Sequence, residues 1–168
     1  MINWIYFPKS DAAPKIAKEV VDVFREVGKV IDSHEFDLVS DHVLAKLAPH
    51  LIKCGFHVET GKKSHQKIRV PVLFGLNGSM EKAFEADAYN EKEKMVLEVE
   101  AGRGVLNNQF LKDLFQACMM HNVEYFGIAV RNLYKKSRDF EKVVTFFETL
   151  YASNRLELPL NGVIVIGY

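Results

Sequence analysis

Phe84-Glu85-Ala86-Asp87-Ala88-Tyr89, then Glu91-Lys92-Glu93-Lys94 after Asn90, then Met95-Val96-Leu97-Glu98-Val99-Glu100, is the stretch on which the fold turns. Apolar and acidic residues alternate with period two on both flanks, the pattern of strands with one buried face. The turn between them is short and charged, which makes them a β-hairpin. With Asn90 opposite Met95, Asp87 lies opposite Glu98 and Glu85 opposite Glu100. Met95, Leu97 and Val99 then point to the other, core-facing side with Ala86 and Ala88. Carboxylates sharing one face, with facing Cβ atoms about 5 Å apart, destabilise a ladder unless something offsets the repulsion. A divalent cation would do so, because Mg²⁺ takes hard oxygen ligands from a few carboxylates. A solvated outer face is the plainer alternative, and the hairpin alone leaves the two level.

Outward from the hairpin the chain reads as helices and strands in turn. Ile16, Val20, Phe24 and Val27 recur at helical spacing after Ser10-Asp11 and give a helix to about Val30. A second helix is expected from Ser40, its N-cap, with Val43, Leu44, Leu47, Leu51 and Ile52 as its apolar stripe. Pro49 should kink it and Gly55 suits its end. Phe56 to Thr60 reads as a strand, and Ile68 to Leu76 as another that Pro71 assigns to an edge. Asn77-Gly78 marks a turn. Beyond the hairpin, Gly102-Arg103-Gly104 leads to a helix of about 106–121. Its core stripe is Phe110, Leu111, Leu114, Phe115 and Cys118, with Gln109, Lys112 and Gln116 on another side. Val123 to Arg131 is a dense apolar strand, Phe140 to Ala152 an amphipathic helix, and Gly162 to Tyr168 a buried strand. The aromatic-rich Met1 to Phe7 (Trp4, Tyr6, Phe7) reads as a short strand or a packing arm. Strands separated by helices are best joined by crossovers, so the fold class is α/β in the broad α+β sense, a mixed β-sheet flanked by helices.

A chain of 168 residues is most simply one domain, and 48% hydrophobic with 26% charged residues is ordinary for a soluble globular protein. Lys and Arg number 22 and so do Asp and Glu, giving a net charge of zero. That argues against a strongly cationic binder whose affinity comes from counterion release. Two local basic clusters remain, Lys62, Lys63, Lys67 and Arg69 before the hairpin, and Arg131, Lys135, Lys136 and Arg138 after it. Each is a solvated loop or a phosphate contact. No apolar run approaches a membrane span and no leader resembles a signal peptide. With only Cys54 and Cys118, the cytoplasm is the expected location. The histidines at 34, 42, 50, 57, 65 and 121 are scattered, as are the cysteines, which argues against zinc. His42 and His50 read as surface helix residues.

This element order, together with Asp87 and Glu98-Val99-Glu100, resembles the PD-(D/E)XK nuclease superfamily, the fold of many restriction endonucleases, over roughly Ser40 to Arg131. The resemblance implies a restriction-endonuclease-like core. In it Asp87 on the second core strand and the acid-x-Lys position on the third, here Glu98 and Glu100, surround Mg²⁺ or Mn²⁺. Glu100 departs from the Lys of most members, although some restriction enzymes carry Glu there. The family's additional acid on the first core helix would be Glu35 or Asp41, with Glu59 on the first core strand a weaker candidate. Phosphodiester hydrolysis needs charge stabilisation at the phosphoryl oxygens and an activated water, which one or two divalent ions supply. Asp87 and Glu98 would anchor the metal, and Glu100 would be a third ligand or the general base. Lys112 either leans toward the site in place of the missing Lys or faces solvent, and Gln109 and Gln116 share that choice. The expected protein is a Mg²⁺-dependent DNA endonuclease acting as a homodimer so that both strands are cut. Trp4, Tyr6 and Phe7 would lie at the interface or in the core. DNA recognition would come from loops such as 61–83 or from a partner. The competing readings are a catalytically inactive nuclease-fold subunit for DNA binding or assembly, and an unrelated α/β protein with a solvated hairpin.

Overall fold

Alternation along the central strands sorts their side chains onto two faces, and each face recruits its own pair of helices. The structure, a computed structural model, describes residues 1–168 apart from the side chains of Arg103 and Gly104. The strands are β1 (Asn3–Phe7), β2 (His57–Val58), β3 (Ile68–Phe74), β4 (Met80–Ala86), β5 (Ala88–Asn90), β6 (Met95–Val99), β7 (Tyr125–Val130) and β8 (Gly162–Gly167). The helices are α1 (Lys15–Ile31), α2 (Ser40–Lys53), the short α3 (Arg103–Leu106), α4 (Gln109–Met119) and α5 (Asp139–Ser153). Six strands form one mixed sheet in the order β1-β8-β7-β6-β5-β2, while β3 and β4 make a separate two-stranded ribbon. Strands β6, β7 and β8 are parallel. Their connections carry α4 and α5, as parallel neighbours require a crossover.

Met95, Leu97 and Val99 of β6 pack with Ala129, Ile164 and Ile166 against the buried stripes of α1 and α2. On the other face, Val96, Phe126, Ile128, Val163 and Val165 meet Phe110 and Leu114 of α4 and Val143 and Phe147 of α5. Among the described residues no helix is long and apolar enough to cross a membrane.

Several expectations need correction. The strand anticipated over 84–89 is broken: the chain bends at Asp87, with β4 paired to β3 on one side and β5 to β6 on the other. Glu85 therefore opposes Arg69, not Glu100, and Ala86 packs with the α4–α5 side instead of joining Ala88 in the α1–α2 core. The strand over 56–60 shortens to two residues, and β3 ends at Phe74. Asn108 adopts a left-handed conformation (φ 53°), which stops the expected helix of 106–121 from running back past Gln109. Ile52 and Phe115, assigned to core stripes, are 56% and 51% exposed. Val39, not Ser40, is the α2 N-cap, and the helix continues through Pro49 to Lys53 before Gly55 turns left-handed (φ 86°). The N-terminal aromatics are in an edge strand: β1 pairs antiparallel with β8, burying Tyr6 and Phe7 and leaving Trp4 part-exposed.

Candidate active site

The hairpin keeps its register, with Asn90 opposite Met95 and Ala88 opposite Leu97. That pairing carries Asp87 opposite Glu98, although the bend takes Asp87 itself out of the ladder. Two backbone contacts hold it there: the Val99 N–H donates to Asp87 Oδ2 at 2.8 Å, and the Glu59 N–H donates to the Asp87 carbonyl at 2.8 Å. The Asp87 N–H in turn donates to the Glu98 carboxylate. Because Val96 and Glu98 share one face of β6, Glu98 points toward α4. Glu100 follows just beyond the strand, its N–H bonded to the Ala129 carbonyl and its carbonyl held by the Tyr168 hydroxyl at 2.9 Å.

Helix α4 closes the opposite wall. Gln109, Lys112, Asp113 and Gln116 are spaced i, i+3, i+4, i+7 and so form one stripe. All of them line the same open depression of about 400 Å³ as Asp87, Glu98 and Glu100. Lys112 is exposed and borders the depression. Asp113 joins the acids named from the hairpin motif. It takes the fourth place that the hairpin register had assigned to Glu85, which stays at the rim. The polar stripe on α4 was the available signal, already visible in Gln109, Lys112 and Gln116.

The electrostatics follow from crowding acids in a partly buried place. Loss of water pushes Asp87 up to about 7, against its bond from Val99 and with help from Glu59, Asp113 and Asp41. Burial also raises Glu98 well above the ordinary range, reinforced by the charge of Asp87. Glu100 rises to about 8 through burial and the neighbouring Asp113, with Lys112 acting in the opposite sense. Burial raises Asp113 too, offset in part by its hydrogen bond with Glu100 and by Lys112.

The remaining candidates divide. Glu59 is engaged by Lys67, whose ammonium lies 2.8 Å from Glu59 and 3.6 Å from Glu85. Asp41 at the start of α2 pairs with Lys62 at 3.4 Å, near enough to raise Asp87 but outside the depression. Glu35 is exposed in the turn between α1 and α2, away from these acids. Arg131, counted with the second basic cluster, is buried: it pairs with Asp37 at 2.5 Å, donates to the Leu38 carbonyl and lies over the Tyr134 ring. It braces the α1–α2 connection and offers nothing to a phosphate, whereas Lys135, Lys136 and Arg138 are exposed. A larger cavity of about 690 Å³ lies between α1, the end of α2 and the β5–β6 turn. His50 and Glu26 are paired there at 2.5 Å, and the Asp87 cluster does not reach it.

The donor set around Asp87 is oxygen-rich, which suits Mg²⁺ or Mn²⁺ and not zinc. One buried oxygen, Asp113 Oδ2, has no hydrogen-bond partner among the described residues. No three His, Cys, Asp or Glu side chains among the described residues already stand as a ligand cage. A bound cation would draw these acids closer by side-chain rotation. On the unpartnered oxygen and the chemistry of the donors, the site fits a hard divalent cation.

No protein-family model matches the chain, and no curated protein does. Among solved structures the chain is similar to the restriction endonuclease BglII complexed with a DNA 16-mer. The TM-score is 0.61 at 13% identity, covering 99% of this chain and 77% of that one. It is also similar to free BglII, with a TM-score of 0.52 at 11% identity, covering 99% and 78%. The fold is restriction-endonuclease-like.

Proposed function

We propose that this chain is a divalent-metal-dependent endonuclease that hydrolyses phosphodiester bonds in DNA. The observation that carries the reading is the meeting of Asp87, Glu98 and Glu100 in one open depression at the Asp87 bend of a restriction-endonuclease-like fold. The neighbour of that fold bound to a DNA 16-mer supports DNA as the substrate class. Glu100 then occupies the position where the PD-(D/E)XK motif most often has Lys.

Asp87 and Glu98 hold the cation, Mg²⁺ or Mn²⁺. When bound it supplies positive charge against the phosphoryl oxygens and eases loss of a proton from water. Glu100, also lining the depression, would reach the cation as a third ligand and hold the attacking water, whose proton it accepts. Lys112 brings an ammonium to the depression from α4 and faces the scissile phosphate. The β3–β4 ribbon with Arg69, and Lys62 and Lys63 beside it, lie along the DNA backbone. Two copies of the chain, each with one such site, cut the two strands of a duplex. The cytoplasm is the proposed setting, where Cys54 and Cys118, both free, stay reduced.

Nicking of supercoiled plasmid tests the reading. Wild type with Mg²⁺ or Mn²⁺ should convert it to open-circle and linear forms. EDTA or Asp87→Asn should abolish this. Full activity in EDTA, or cleavage by Asp87→Asn at the wild-type rate, would sink it. Metal binding without any cleavage would point instead to an inactive nuclease-fold subunit.

A further inference from the structure

Asp113 lies in the body of α4 and is only 7% exposed. On structural grounds alone it is a poor residue for that place. Asp is among the weaker helix formers, and a carboxylate taken from water needs hydrogen bonds or a counter-charge. Here one carboxylate oxygen, Oδ2, has no hydrogen-bond partner among the described residues. The side chain contacts another acid, Glu100, across the depression. Leu or Ala at this position would remove all three penalties, so the burial serves something other than packing.

Charge sharpens the point. Among the described residues, Asp87, Glu98, Glu100 and Asp113 line the depression with Lys112 as the cation facing them. When these acids are ionised, a phosphodiester entering the depression meets a net negative wall. A divalent cation between Glu100 and Asp113 gives the unpartnered oxygen a ligand role and takes the place of the proton shared in the Glu100–Asp113 hydrogen bond. It also lowers the negative charge that DNA must approach.

We infer that Asp113 is a further ligand of the site, holding a divalent cation together with Glu100. The inference rests on the nuclease reading above and adds to it a ligand from the helix wall, outside the hairpin motif.

Calorimetric titration of the metal-free protein with Mn²⁺, without DNA, tests it. Asp113→Asn and Glu100→Gln should each weaken Mn²⁺ binding about tenfold or more. Because both residues hold one cation, the double variant should lose little beyond the larger single loss. If Asp113 is a packing residue, Asp113→Asn binds Mn²⁺ within about twofold of wild type and the two substitutions act independently. That result overturns the inference and leaves the nuclease reading standing. A wild type that binds no Mn²⁺ overturns both. The wild type gives a check that needs no folded variant: the carbon-13 resonance of the Asp113 carboxyl should move on addition of Mg²⁺. A resonance that stays in place while metal binds overturns the inference.

Discussion

Replacing Asp87 by Asn should make the metal-free protein more stable at slightly alkaline pH, because the wild type must then carry a charge that its surroundings disfavour. Asp87 is pushed up to about 7 from 3.8. Between those values the folded chain keeps a proton that the unfolded chain has released. Stability is therefore complete below about pH 4 and falls as the pH rises toward 7. A displacement of about three pH units corresponds to about 4 kcal/mol at 1.36 kcal/mol each. Water reaching the partly exposed carboxylate cuts this to about 2 kcal/mol. Asn keeps an oxygen to accept the Val99 N–H and cannot ionise. In EDTA at about pH 8, Asp87→Asn should gain about 2 kcal/mol, an upward move in Tm of about 4–8 °C for a chain of this size. At about pH 4.5 the two proteins should melt within a degree or two of each other. Added Mg²⁺ should reverse the order by stabilising the wild type alone. Thermal unfolding followed by circular dichroism reads all of these. If Asp87→Asn tracks the wild type at both pH values, or Mg²⁺ raises both equally, neither the strained carboxylate nor its role as a ligand stands.

Lys112→Ala should lower cleavage about ten- to a hundredfold, as expected when one charge-assisted contact of about 1.5–3 kcal/mol is lost. Single-turnover rates on plasmid measure this, and an unchanged rate would return Lys112 to solvent. Arg131→Met should destabilise the fold by about 2–3 kcal/mol in urea titrations, since it leaves the Leu38 carbonyl without its donor and removes the cation over the Tyr134 ring. An unaltered midpoint would mean that the α1–α2 connection is held by other contacts. Light scattering with DNA present should give a protein mass twice the 19.2 kDa of one chain, and a persistent monomer would rule out the homodimer.

The hairpin was legible because its signal is local. Period-two alternation and a four-residue turn determine which residues face each other, and β5–β6 has that register. What the alternation could not show was the bend at Asp87. Glu85, Ala86 and Asp87 continue the same pattern whether the strand runs on or swaps partners, and the choice depends on β3, whose pairing with β4 is a tertiary event. The same limit hid Asp113. Read along α4, it sits beside Lys112 and looks like one more charge on a wet face. Only the approach of α4 to the end of β6 turns that face inward. Phe115 and Ile52 failed in the opposite sense, being apolar residues at helical spacing whose faces find nothing to cover them. Arg131 shows a further limit, because composition groups it with exposed basic neighbours while its surroundings bury it against Asp37, Leu38 and Tyr134.

The pairing of β1 with β8 bears on how the chain acquires its fold. Asn3 stands opposite Gly167 and Phe7 opposite Val163, so β1 is paired with a strand far downstream in the sequence. At ribosomal rates of about 5–20 residues per second, β1 waits on the order of ten seconds or more for its neighbour. Throughout that interval Tyr6 and Phe7 are without the core that buries them. Contacts this distant in sequence also carry the largest loop-closure entropy and slow the search for the native state. Relinking the chain so that β8 runs into β1 through a short turn would make this pairing a hairpin and open the chain elsewhere. Such a circular permutant would fold faster with the same sheet, the same bend at Asp87 and the same acidic depression.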